Sequence, residues 1–569
     1  MTESVVERAR SWIEADPDPD TRAELEELIQ EGALDELRAR MNGSLEFGTA
    51  GIRGEVAAGP NRMNRAVVIR TTRGLVDYLV EARHETPRSP VVVGFDARPS
   101  SRQFAEDTAG VIAAAGIPVL YFPDVTPTPL VAFACRHLEA VSAVVITASH
   151  NPPADNGYKV YASNGAQIIP PMDVGISSAI EEVGAANQIS RIERAFEAQT
   201  DLIAPVPEDL FDEYWEQVNR SRPSPTSSSL RVVYTPMHGV GGDPLKELFR
   251  RAGHAGLQTV PEQADPDGLF PTVTFPNPEE EGALDLAIQM AERDDADLVI
   301  ANDPDADRFA AAIPYHSSWR PLTGNEVGAL LGDYVLRHHR GDRKAIVINS
   351  IVSSPMLGRI AAHHDAHFER TLTGFKWISN AGMALEDAGI GEFVFGYEEA
   401  LGYTVGSTVR DKDGLSTAVI FVDLLAGLTS RGQGVLDRLT QLWEIAGVWA
   451  SAQHSIVRPG PGGQEMIEQT IGHIADNAPT SVQDLEVTYV TDYRSDASSR
   501  PPWLGQQQLI ELTLGSAGRI LVRPSGTEPK LKIYVDLVAG LGPDPENQQR
   551  ELQSEAATLA SEVEELLPA

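Results

Sequence analysis

Ala296-Asp297-Leu298-Val299-Ile300-Ala301-Asn302-Asp303-Pro304-Asp305-Ala306-Asp307-Arg308 decides how this chain is read. The apolar run 296–301 has the length and composition of a buried strand. Three carboxylates at alternating positions then fall at its C-terminal end, where open α/β sheets hold their ligands. Like charges this close stay ionised together only if a cation joins them; otherwise their pKa values rise. An all-oxygen set suits a hard ion, Mg2+ first. The plainer alternative is a solvated acidic turn. An EF-hand also opens D-x-D-x-D, but it needs Gly at position six and Glu at position twelve. Here those positions hold Arg308 and Pro314, so it is rejected.

Composition narrows the field. At 569 residues, about three or four domains of ~150 residues are expected. A net charge of -36 disfavours nucleic acid or an anionic membrane as a general partner. It leaves room for a small anionic substrate met by local clusters of opposite sign. The single cysteine, Cys135, excludes internal disulfides and cysteine-metal clusters. No apolar signal core opens the chain, and no run reaches the ~18 residues of a membrane span. A cytoplasmic location is expected. Only seven of the 46 basic residues are lysines, and five of the seven fall in segments singled out on other grounds. A lysine kept where arginine prevails elsewhere points to a need for a compact ammonium.

One pattern recurs three times. Pro90–Asp96, Leu230–Thr235 and Lys344–Asn349 are each an apolar strand followed by a short polar loop and a helix. Alternation of this kind predicts parallel α/β sheets, here in three related domains. The Ser/Pro-rich stretch 221–229 reads as a linker. After Arg458-Pro459-Gly460-Pro461-Gly462-Gly463 the order changes to helix, grouped strands (485–489, 509–514, 519–522, 531–537), then a final helix. That order predicts a smaller C-terminal α+β domain. The boundaries are set at 1–205, 206–321, 322–452 and 453–569.

Besides the aspartates, three loops carry chemistry. Thr147-Ala148-Ser149-His150-Asn151-Pro152 follows a strand and can present the Ser149 hydroxyl to a ligand. It lacks the flanking glycines of a hydrolase G-x-S-x-G, and an ordinary turn is the alternative. Gly396-Tyr397-Glu398-Glu399-Ala400-Leu401-Gly402 sets paired carboxylates between glycines, as sugar hydroxyls require. Arg523-Pro524-Ser525-Gly526-Thr527-Glu528-Pro529-Lys530 groups Arg, hydroxyls and a glycine amide into an anion nest. It is not a Walker loop.

In this order and spacing the four loops resemble the α-D-phosphohexomutase superfamily, specifically its phosphoglucomutase/phosphomannomutase members. The resemblance runs from Phe47-Gly48-Thr49-Ala50-Gly51-Ile52-Arg53-Gly54 to Tyr534. It implies three related α/β domains and a smaller α+β domain around a central cleft. It implies a phosphoserine at Ser149, Mg2+ on Asp303, Asp305 and Asp307 with a phosphoryl oxygen at Ser149, and Arg53 and Lys159 flanking the transfer. Lys159 is a candidate base with a lowered pKa, or a simple phosphate-binding cation. Arg308, Lys376, Glu398 and Lys412 are implied to contact substrate, with Arg523, Ser525, Gly526 and Thr527 clamping the phosphate that does not react. The implied activity is a mutase moving phosphate between O1 and O6 (or O5) of a sugar through a bisphosphate, which also serves as activator. Glucose 1-phosphate is the favoured substrate, with mannose and pentose phosphates as alternatives. Many members have Ser where this chain has Ala400, which puts one sugar hydrogen bond in doubt. The rival class is a haloacid-dehalogenase-type phosphatase. It would use Asp303 as nucleophile and expects Thr or Val where Ala306 stands.

Overall fold

The computed structural model describes residues 4–84, 86–458, 463–524 and 530–565. The chain has a four-domain α/β architecture, and it divides into two compact units: 1–322 with 401–423, and 323–400 with 424–569. Among the described residues no helix is long and apolar enough to cross a membrane.

The first unit opens with helices α1 (Val5–Ala15), α2 (Pro19–Glu31) and α3 (Leu34–Met41). Ser4 and Glu7 close a capping box on α1, and α2 starts on Pro19 and stops at left-handed Gly32. Ala9, Leu25, Leu37 and Met41 form a small core with Ala58. A six-stranded sheet follows: β1 (Ile52–Glu55), β2 (Val91–Phe95), β3 (Val119–Tyr121), β4 (Ser142–Ile146), β5 (Asp155–Ala162) and β6 (Ile203–Pro205), in the order β1-β5-β4-β2-β3-β6. Helix α4 (Arg65–Arg83) starts on Asn64, whose side chain accepts from the Val67 N–H.

The second domain supplies β7 (Val232–Thr235), β8 (Leu257–Thr259), β9 (Leu298–Ala301), β10 (Ala310–Tyr315) and β11 (Ser318–Pro321), ordered β11-β10-β9-β7-β8. Central strands β2, β4, β7 and β9 are buried throughout, so they read as unbroken apolar runs and not as alternation.

The three expected copies share one topology. In the first, β2 pairs in parallel with β3 on one side and β4 on the other. In the second, β7 does the same with β8 and β9. In the second unit, Ala345–Ser350 lies between His367–Thr371 and Glu392–Glu398, again parallel to both. The chain therefore leaves the first strand in opposite directions. That creates a switch point between the first and third strands, where the diverging loops leave a crevice at the strands' C-terminal ends.

The last domain is an antiparallel five-stranded sheet, ordered 448–457, 530–539, 518–524, 510–513, 489–492. Helices Gly463–Asp476 and Pro545–Glu565 cover it through Ile467, Ile471, Leu559 and Val563. The region expected as one strand at 485–489 is instead a two-residue strand, Leu485–Glu486, followed by Tyr489–Asp492.

Candidate active site

Two switch points meet in the first unit. Ser149 follows β4, the aspartates follow β9, and the Ser149 hydroxyl donates to Asp303 Oδ2 at 2.8 Å. Ser149 is only 3% exposed and takes the left-handed backbone (φ 52°), which a non-glycine residue adopts only where its surroundings hold it there. The Ser149 N–H donates to Thr147 Oγ1, and Thr147 in turn donates to Asp96 at the end of β2.

Arg98 organises the same loop. Its Nη2 donates to the carbonyls of Ser149 and Asn151, each at 2.7 Å, and its Nη1 to those of Pro152 (2.6 Å) and Asp155 (2.8 Å). Its Nε donates to Asp96, which also accepts from Ser101. Asp96 and Arg98 were not singled out from sequence. Phe95-Asp96-Ala97-Arg98 looks like any strand-exit loop, and only the switch point gives it away.

Asp303, Asp305 and Asp307 are all buried, and one oxygen from each lies within 4.8 Å of the others. Ala306 turns the chain through φ 55° between them. The approach is tight: a Cβ on Gly239, in the loop after β7, would lie 2.5 Å from Pro304 Cα. Burial, then Asp307 and Asp305, push the Asp303 carboxyl well above the usual range. Burial also works against Asp305, but Lys159 and a 2.7 Å hydrogen bond from Thr128 hold it below. Burial and Asp305 oppose ionisation of Asp307, and Lys159, Lys412 and Arg308 overcome them. Asp305 Oδ1 and Asp307 Oδ1 are buried without a protein hydrogen-bond partner. Buried anionic oxygens without donors are costly. This all-oxygen set fits Mg2+.

Cations ring the aspartates. Lys159, on β5, donates to Asp305 Oδ2 (2.7 Å) and Asp307 Oδ2 (3.0 Å). Burial lowers its pKa, but those two carboxylates more than offset it, so the net shift is upward. With no cation on the aspartates, the two facing carboxylates favour the ammonium. Lys412 Nζ lies 3.3 Å from Asp307 and 3.5 Å from Asp411, which Tyr161 and Gln167 hold. Arg308 reaches Asp303 only at 3.9 Å and Glu279 at 3.6 Å, and its buried Nε has no acceptor. Arg53, on β1, donates to Asn151 Oδ1 at 2.9 Å. Its chain approach depends on Gly51 (φ 76°), where a Cβ would lie 1.8 Å from the Tyr158 carbonyl oxygen. His150 is kept neutral by burial and by Arg308 and Arg53.

The first unit thus assembles Ser149, Arg53, Lys159, Asp303, Asp305, Asp307, Arg308 and Lys412. In the second unit, Glu398 ends the strand Glu392–Glu398 and accepts the Gly374 N–H at 2.7 Å. Lys376 stands two residues on, in the first turn of the helix Phe375–Asp387. Glu399, read from sequence as Glu398's partner on a sugar, instead accepts from Ser350 (3.1 Å) and Ser353 (3.0 Å). Arg523 lies on Gly518–Pro524, and its buried Nε and Nη1 have no acceptor among the described residues. Ser525, Gly526 and Thr527 lie outside the described residues.

Comparison with known proteins accounts for this arrangement. The phosphoglucomutase/phosphomannomutase α/β/α domains I, II and III match residues 44–187, 211–316 and 323–445, and the family's C-terminal domain matches 481–537. The mouse (Mus musculus) phosphopentomutase is 37% identical over 95% of this chain and 92% of its own length. A probable phosphomannomutase of Haemophilus influenzae is 38% identical over 86% of this chain and 95% of its own. In fold, a putative phosphomannomutase from Thermus thermophilus superposes with a TM-score of 0.67 at 21% identity, covering 91% of this chain and 99% of that one. Fold and relatives define an intramolecular phosphotransferase, a phosphosugar mutase. The chain belongs to the phosphoglucomutase/phosphomannomutase family of the α-D-phosphohexomutase superfamily. That membership displaces the haloacid-dehalogenase reading.

Proposed function

We propose that this mutase carries its phosphoryl group on Ser149 and interconverts the 1- and 5-phosphates of a pentose, passing through a 1,5-bisphosphate that also primes it. The observation that carries the mechanism is the 2.8 Å hydrogen bond from Ser149 to Asp303, made by two loops from different switch points. Phosphoryl transfer asks mainly for alignment and charge neutralisation. Mg2+ on Asp303, Asp305 and Asp307 would supply Lewis-acid neutralisation of the phosphoryl oxygens.

The chain's own residues do the rest. Asp96 and Arg98 fix the loop so that Ser149 Oγ faces the aspartates. Arg53 and Lys159 bring positive charge to the transfer, and Arg308 has an unused donor for a phosphate. As the Ser149–phosphorus bond breaks, a bond from phosphorus to the free sugar hydroxyl forms, and that hydroxyl's proton ends on Ser149 Oγ, held there by Asp303 Oδ2. A loose transition state needs little prior deprotonation, which favours Lys159 as a cation and not a base. After the bisphosphate turns end for end, the reverse step reloads Ser149. Glu398 and Lys376 would read sugar hydroxyls, Lys412 the substrate's phosphorylated side, and Arg523 with Ser525, Gly526 and Thr527 the idle phosphate.

The sugar is the finer point. The sequence favours glucose 1-phosphate; the near-full-length likeness to a phosphopentomutase shifts the preference to ribose phosphates. Initial rates on ribose, glucose, mannose and N-acetylglucosamine 1-phosphates, with Mg2+ and a bisphosphate primer, test this. Ribose 1-phosphate should give the highest kcat/KM; a hexose turned over faster would overturn the pentose assignment.

A further inference from the structure

Helix α1, helix α4 and residues 183–186 line a solvent-open cavity of about 350 Å³, within the usual size range for a small-molecule pocket. Arg8, Trp12, Ala66, Arg70, Val183 and Ala186 line it. All lie in the first unit, and the transfer residues named above take no part in it.

Its two arginines are unlike their neighbours. On α4 itself, Arg65 is paired with Asp107 and Arg73 with Asp77. Among the described residues Arg70 donates only to the Val183 carbonyl (3.1 Å), and its buried Nε has no acceptor. Burial alone lowers its pKa, with no carboxylate opposing it. Arg8 donates to Asn42 Oδ1 (2.7 Å), and its Nε is likewise buried without an acceptor. Among the described residues neither guanidinium has a carboxylate partner, in a chain of net charge -36. The Trp12 indole N–H is directed at Asp16 and helps hold its carboxylate, so Trp12 offers the cavity its ring face and no free donor. Asp16 is already engaged by the Asp18 N–H and Thr21. Buried N–H donors are seldom left without acceptors, and guanidinium pairs are the preferred receptors of phosphate.

We propose that this cavity is a binding site for a small phosphate ester, its phosphate between Arg8 and Arg70 and its organic body against Trp12. It lies apart from the transfer centre and joins the N-terminal helices to the first α/β domain. Occupancy would tie α1 to α4.

The full chain labelled with 5-fluorotryptophan tests it by fluorine NMR, with Trp12→Phe assigning the Trp12 resonance. That resonance reports on the cavity alone, so phosphate bound at the transfer centre does not confuse the reading. Phenyl phosphate, inorganic phosphate and benzoate are the probes. Phenyl phosphate should shift the resonance saturably and more tightly than benzoate. Arg8→Met and Arg70→Met should each weaken it roughly tenfold or more, as loss of a charge-assisted hydrogen bond implies. If Arg70→Met does not fold, Arg8→Met, at a half-buried surface position, decides the test. No shift with phenyl phosphate, a shift unaltered in the variants, or benzoate binding as tightly would overturn the proposal.

Discussion

Replacing Arg98 by Met should cost both stability and turnover, for separable reasons. The guanidinium and Asp96 are each about 1% exposed as side chains. Met fills similar volume, so packing is nearly conserved and the lost charge dominates. Breaking a buried pair from one side leaves an uncompensated carboxylate, typically about 3–5 kcal/mol. Four carbonyls, of Ser149, Asn151, Pro152 and Asp155, each lose one donor too, though Pro152 keeps the Asp155 N–H. Domains of this size are stable by only about 5–15 kcal/mol, so the variant should fold with a clearly lowered denaturation midpoint. The same carbonyls fix where Ser149 sits, and a shift of about 1 Å at a reacting group can cost about 100-fold. Arg98→Lys keeps a charge but cannot fork to four acceptors, and should recover more stability than rate. Urea unfolding and initial rates on the same three proteins check this. If Arg98→Met unfolds within about 0.5 kcal/mol of the parent and turns over normally, the reasoning is refuted.

Thr128→Ala removes the 2.7 Å hydrogen bond to Asp305 Oδ2. The Mg2+ concentration giving half-maximal rate should rise about 10–100-fold with saturated kcat little changed; an unchanged Mg2+ dependence would show that Thr128 does not orient the carboxylate. In the second unit, burial alone would raise Asp333, but hydrogen bonds from His364 and Arg438 with the charge of Arg337 hold it below its ordinary value. A depressed folded pKa means the unfolded chain binds the proton more readily, so this contribution is full above about pH 4 and fades as pH falls further. The stability gap between the parent and Asp333→Asn should therefore narrow below about pH 4 and stay constant above about pH 5; a gap independent of pH would contradict it. Gly374 has φ 115° and presents its N–H to Glu398. Gly374→Ala should cost about 1–3 kcal/mol of local strain and raise KM more than it lowers kcat, read from steady-state kinetics.

The parts legible in the sequence are those where local pattern and global fold agree. Strands 91–95, 142–146, 232–235, 298–301 and 345–350 are buried on both faces, so each appears as an unbroken apolar run between loops. Ser149 and the aspartates follow such runs and were readable for that reason. What stayed hidden depends on pairing. Residues 155–162 form β5 only because the strand is clasped antiparallel between β1 and β4, and Asn156-Gly157 reads locally as a turn. Val448–Val457 joins the last sheet along its whole length against Lys530–Ala539, yet its half-exposed face breaks the apolar run that would have marked it as a strand. Arg98 carries no local signal because its four acceptors lie more than 50 residues away. The upward shift of Lys159 could not be read either, since it depends on two carboxylates about 146 and 148 residues distant in sequence.

The central claim is that Ser149 carries the phosphoryl group. The direct measurement is peptide mass spectrometry of the protein treated with a sugar bisphosphate, before and after a chase with excess sugar 1-phosphate. The account predicts one phosphoryl group on the Ser149 peptide, removed by the chase at a rate no slower than turnover, and absent from Ser149→Ala, which should also lose mutase activity. Phosphate found on Asp303, or full turnover by Ser149→Ala, would contradict it.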